Sequence, residues 1–110
     1  MSKQTFRQGD VMLVKLKEKP TVGYPVAEGH VVLALGETTG HAHVIDGAVT
    51  EFRTQPGDRV VWLEAPAELR HVANGRLTGE HDTIKLQRGW YVVNQQVELA
   101  DDYIVRQVYD

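Results

Sequence analysis

Apolar and polar residues alternate along most of this chain in short runs broken by glycine and proline. That period of two is the signature of half-buried strands. The first run, VMLVKLK, follows Gly9-Asp10 and sets Met12, Val14 and Leu16 on one face. Its start is apolar on both faces, as expected of a central strand. KPTVGYPVAEG carries two prolines and two glycines and reads as an irregular connection or an edge segment. HVVLAL resumes the extended pattern and is closed by Gly36.

HAHVIDGAVTEF holds two alternating runs about Asp46-Gly47. Both residues tolerate the positive φ of a type I′ turn, so the spacing predicts a hairpin there. In its first arm His41, His43 and Ile45 share a face. TQPGD predicts a turn, RVVWLEAP a further strand, and ELRHVANGRLTG a second hairpin about Asn74-Gly75. HDTIKLQRGWYVVNQQVEL divides into two strands at Arg88-Gly89, with Tyr91, Val93, Val97 and Leu99 on one alternating face. Val93, Val97, Ile104 and Val108 also fit much of a helical stripe, so strand and helix compete for the C-terminus. With no repeat or linker in view, residues 1–110 are expected to form a single all-β domain. The expected architecture is a compact antiparallel β-barrel or sandwich, in which closure removes exposed sheet edges.

Composition narrows the chemistry. The 110 residues suffice for one modest core. A formal net charge of -3 argues against broad capture of nucleic acid or an anionic membrane. There are no cysteines, so any metal site must draw on histidine, carboxylates or water. The start, MSKQTFRQGD, has no apolar run resembling a secretion signal, and no stretch is apolar for long enough to span a membrane. The cytoplasm is the expected compartment.

The candidate site is a histidine cluster. Strand periodicity brings His41 and His43 onto one face with Cα atoms roughly 6.5–7 Å apart, close enough for both imidazoles to reach one ion. His71 and His81 are the candidates for a third ligand, each near a strand boundary with a turn between them. Three imidazoles with an open position suit zinc, iron or manganese. Glu80 is the candidate acid-base group, carboxylate ligand or partner to an imidazole. On a regular strand Glu80 and His81 point oppositely, so their convergence requires irregular backbone. His30 begins a different strand and is left outside the site.

The HxH arm, followed by PGDRVV and PAELRHVAN, resembles a compressed cupin core. The resemblance implies metal ligation by His41, His43 and His71, with Pro66 five residues before His71 and Asn74 three after. The glutamate that cupins carry three or four residues beyond HxH is replaced here by Gly47 and Ala48, and Glu68 stands where a glycine is expected. A second resemblance spans nearly the whole chain. RQGDV (Arg7–Val11), TGHAH (Thr39–His43), Glu80-His81, the strand from Gly89 to Gln95 and the terminal Val108–Asp110 are similar to a group of small bacterial and phage-associated proteins without an assigned activity. It implies that His41, His43 and His81 belong together, with His71 as a further candidate.

The leading expectation is a small soluble β-barrel that binds a divalent transition metal through these histidines, in the manner of a cupin-like metalloenzyme acting on a small-molecule substrate. An ion with an open position polarises what binds there. The alternative is a non-enzymatic structural or protein-interaction module, phage-associated and self-associating, with Trp62, Trp90, Tyr91, Tyr103 and Tyr109 as candidate surface aromatics. Nucleic-acid binding through Arg7, Lys15, Lys17, Lys19, Arg53, Arg59, Arg70 and Arg76 is disfavoured by the net charge.

Overall fold

The computed structural model describes residues 4–35, 40–74, 76–79 and 82–95. Its strands are β1 (Thr5–Gln8), β2 (Val11–Leu16), β3 (Tyr24–Leu35), β4 (His41–Arg53), β5 (Arg59–Leu63), β6 (Ala67–Ala73), β7 (Arg76–Leu77), β8 (Ile84–Leu86) and β9 (Gly89–Gln95). Every pairing is antiparallel. The order is β1-β2-β9-β5-β4-β6-β7, with β3 on the free side of β4 and β8 on β6. The sheet curls into a half-barrel, and the expected all-β antiparallel fold is the one observed. No helix among the described residues is long and apolar enough to cross a membrane.

The core fills the concave side. Val11, Leu13, Val31, Ile45, Val61, Leu63, Leu69, Leu86 and Tyr91 are fully buried. Tyr91 keeps its phenol satisfied by donating to the Gln87 carbonyl at 2.6 Å, and burial pushes its pKa up. Tyr91 and Val93 share the inner face as the alternation predicts; Val97, Leu99 and the choice between strand and helix at the C-terminus lie outside the described residues. Met12, Val14 and Leu16 occupy the opposite, half-buried face of β2, whose two neighbours β1 and β9 make it the interior strand its sequence predicts.

The expected hairpin at Asp46-Gly47 does not form. β4 runs unbroken through both residues for 13 positions. Gly47 does adopt a positive φ of 123°, but it bends the strand instead of reversing it, as glycine does at a barrel corner. The two halves of β4 cannot fold onto each other because each has its own partner. His41–Asp46 pairs with β6 and Val49–Arg53 with β5. Across the sheet, β3 breaks register at the same level, between Glu28 and His30, where Gly29 has φ 83°. The remaining turns match their sequence signals. Thr54 closes the TQPGD turn through its own N–H, and its hydroxyl accepts from Asp58 N. Asn74, at φ 52°, stands at the tip between β6 and β7.

Among the described strands β3 pairs with β4 alone, and it carries exposed Tyr24, Val26, Val32 and Leu35. Pro25 and three register shifts roughen it against pairing with another chain. One shift, between Val32 and Ala34, coincides with an unusual tie to the rest of the sheet. Arg59 donates to the Leu33 carbonyl at 2.6 Å and the Val32 carbonyl at 2.8 Å. The same guanidinium grips the buried Glu51 carboxylate at 2.7 and 3.2 Å. On the outer face, Asp46 lies opposite His30 in register and bonds both its ring and, at 2.5 Å, Arg70. The His30 hydrogen bond leads in holding the Asp46 carboxyl below its usual pKa, against an opposing desolvation.

Arg59→Met would leave the buried Glu51 carboxylate with Arg53 Nε at 3.9 Å in place of two close guanidinium contacts. We expect a loss of about 2–3 kcal/mol, at or below the low end for breaking a buried pair because Arg59 remains partly exposed. Adding Glu51→Leu should recover part of that loss; equal stability of the single and double variants in urea titration would contradict the pairing. Gly47→Val should cost about 1–3 kcal/mol, since a β-branched residue resists this φ. An unaltered thermal midpoint would show that the bend does not depend on glycine.

Candidate functional site

The register of β4 against β6 assembles the histidines. His43 lies directly opposite His71, and His41 opposite Ala73, so the three imidazoles share one face. The His43 and His71 ring centroids are 4.7 Å apart, and those of His41 and His71 5.3 Å. His43 and His71 are only 2% and 3% exposed, whereas His41 is half-buried at the end of the strand. Gly40 and Asn74 pin this end together. Asn74 N donates to the Gly40 carbonyl at 3.0 Å, and a Cβ on Gly40 would sit 2.6 Å from the Asn74 side-chain oxygen. This contact explains the glycine of TGHAH and the asparagine that follows His71.

The interior partner of His43 is Gln8, at the end of β1. Gln8 is 2% exposed. Its Nε2 donates to the carbonyls of Leu69 at 3.0 Å and Asp82 at 2.8 Å. Both amide hydrogens are thereby used, which fixes the orientation of the group and turns Oε1 to His43 Nδ1 at 2.9 Å. An amide oxygen only accepts, so His43 Nδ1 must carry the hydrogen. In the neutral ring, Nε2 then carries the lone pair.

His71 is also held from its Nδ1 side. Its Nδ1 meets the Thr78 hydroxyl at 2.6 Å, and that hydroxyl lies 3.5 Å from the His71 carbonyl. A hydroxyl can donate or accept, so this contact orients the ring without choosing its tautomer. Thr78 N reinforces the loop by donating to the same carbonyl at 3.2 Å. On the solvent side of His43, Asp10 brings Oδ1 to 3.9 Å from Nε2. Asp10 sits in the two-residue connection between β1 and β2, where Gly9 (φ 60°) supplies the glycine-first pattern of a type II′ hairpin.

The structure thus brings His41, His43 and His71 together, while Glu80 and His81 lie outside the described residues. Among the described residues, no three histidine or carboxylate side chains are already gathered to hold a metal ion. His30 stands apart with Asp46 on the outer face. Glu51 is committed to Arg59 and is not available to the histidines. Sequence reasoning passed over Gln8, Asp10 and Thr78. The first two lie within the RQGDV segment, and a glutamine next to a Gly-Asp turn was the available signal.

A family model described as a domain of unknown function (DUF8820) matches residues 7–96. The chain belongs to the DUF8820 family. The matched span begins one residue before Gln8 and contains every residue of the histidine site, so the site is an internal feature of the DUF8820 domain. No curated protein and no solved structure matched the chain.

Gln8→Leu would remove the donor to two carbonyls and the acceptor for a buried imidazole N–H. We expect a destabilisation of about 2–4 kcal/mol. The Nδ1–H tautomer of His43, read from its imidazole 15N shifts, should also lose its dominance. Retention of that tautomer in the variant would show that Gln8 does not set it.

Proposed function

We propose that this DUF8820 domain binds one divalent transition metal through His43 and His71, with His41 or His81 completing the imidazole set. One observation carries the reading: both buried rings have Nδ1 held by a polar neighbour, the Gln8 amide for His43 and the Thr78 hydroxyl for His71. Metal-binding histidines are commonly prepared this way, because the outer hydrogen bond fixes the tautomer and the ring. The spacing is compatible. Two imidazoles on one tetrahedral ion, each at roughly 2.0–2.1 Å, have centroids about 5 Å apart, and those of His43 and His71 are 4.7 Å apart.

The donor set suits zinc, iron or manganese. A bound ion would supply Lewis acidity to whatever occupies its remaining positions. The chain's own contribution is to bury two ligands, hold both rings from their Nδ1 side and leave His41 and Asp10 toward solvent as the approach side. A cupin-like reaction on a small molecule is the enzymatic form of this reading, with Glu80 as the acid-base candidate.

A protein-interaction module is the second reading. It draws on the outer face, where Trp62 and Trp90 face each other in register with centroids 4.9 Å apart. Phe52 adds a third ring 5.6 Å from Trp90, and Arg88 lies 4.9 Å over Trp62. Aromatic and arginine residues are the usual anchors of such surfaces.

Elemental analysis of untagged protein should find about one transition metal per chain. His43→Ala should lose most of it while the far-ultraviolet β-sheet signal persists. Unchanged occupancy in His43→Ala would reject the site, and a metal-free chain that also fails to bind added ions would favour the interaction module.

A further inference from the structure

Resting on the protein-interaction reading above, we infer that the aromatic outer face receives an acidic segment of a partner protein, with Arg88 as its carboxylate receptor. The face follows one lateral row of the sheet. Leu16 on β2 lies opposite Trp90 on β9, Trp90 opposite Trp62 on β5, and Trp62 opposite Thr50 on β4. Register partners share a face. The two indoles therefore stand side by side, half-buried, with the Phe52 ring beside Trp90.

Cations border this row. Arg88 lies over Trp62 at 4.9 Å from the ring centroid, and Lys19 Nζ lies over Trp90 at 5.8 Å. Lys15 extends past Gly89, where an added Cβ would meet Lys15 Cε at 3.0 Å. Lys17 falls between the two lysines in the chain, and the neighbouring carboxylates are Glu18 and Glu64. Glu64 and Arg88 follow one step beyond the pairing of Leu63 with Gly89. Arg88 nevertheless lies over the indole, and among the described residues none of these four cations forms an ion pair. On a chain of formal net charge -3, the border of the aromatic face thus carries more positive than negative side chains.

That combination selects the partner. A guanidinium carries its N–H donors in its own plane, so contact with an indole through its flat face leaves them for a carboxylate. The rings supply the apolar area that anchors protein interfaces, and the cations bias the choice toward an acidic sequence. Nucleic acid fits less well. Each indole already neighbours the other and is overlain by a cation, which leaves little open ring for a base to stack on.

Both tryptophans of the chain belong to this face, so the intrinsic fluorescence of the full chain reports on it directly. Three probes separate the outcomes: a synthetic peptide with glutamates flanking a phenylalanine, the same peptide with glutamine for glutamate, and oligothymidylate. The glutamate peptide should change the emission saturably, and the glutamine peptide should bind at least roughly tenfold more weakly. Arg88→Gln should weaken the glutamate peptide to a similar degree, with circular dichroism matching the parent. Equal affinity for the two peptides would leave an interaction surface that does not read charge, and would overturn the acidic partner. Undiminished binding by Arg88→Gln would remove Arg88 as the receptor. Tighter binding of oligothymidylate would give the face to nucleic acid. Binding seen only after Glu98, Asp101 and Asp102 are changed to glutamine would give it to the chain's own acidic stretch. If no probe alters the emission of any of these proteins, the inference falls together with the interaction reading.

Discussion

The hydrogen-bond capacity of one buried amide organises this molecule. Gln8 has two hydrogens and an oxygen to satisfy where it is only 2% exposed. Its hydrogens go to Leu69 on β6 and to Asp82, and its oxygen goes to His43 on β4. Strand β1 lies at one end of the sheet order, and β6 near the other. The amide therefore ties together two parts of the curled sheet that share no ladder. Because every one of its groups is committed, it can neither flip nor withdraw without orphaning a buried partner. The local fold and the tautomer of His43 follow from the same three bonds.

The fold was largely legible because half-buried strands write their burial into alternating residues. Val11 and Leu13 inside, with Met12 and Val14 opposite, are a direct translation of sequence into structure. TQPGD and Asn74 were readable because their backbone requirements are local. Asp46-Gly47 was not, since the dipeptide reports only that a positive φ is accessible. A reversal and a bend both use that freedom, and the decision between them belongs to the partners available on either side. Here β6 and β5 each claim half of β4, a competition between distant segments that no window around Gly47 contains.

The histidine site divides along the same line. His41 and His43 were visible together because period two is a local rule. His71 could be offered only as a candidate, since its placement depends on the pairing register that sets it opposite His43. Gln8 and Thr78 were harder still. A glutamine on a short strand and a threonine after a turn look like ordinary solvated residues. They gain their roles only when folding buries them against the imidazoles of His43 and His71.

The continuity of β4 has a consequence for how the chain reaches this state. Its neighbours come from segments before it, β3, and after it, β5 and β6, so no short stretch of sequence can complete the sheet alone. The contacts of Gln8 reach farther, closing separations of 61 and 74 residues. Topologies dominated by such distant pairings form slowly, because chain entropy is lost before the contacts that compensate for it are made. The histidine pocket thus depends on closures that are costly in chain entropy. Its chemistry cannot exist in a partly assembled chain, since the tautomer of His43 is settled only when the first strand has met the sixth.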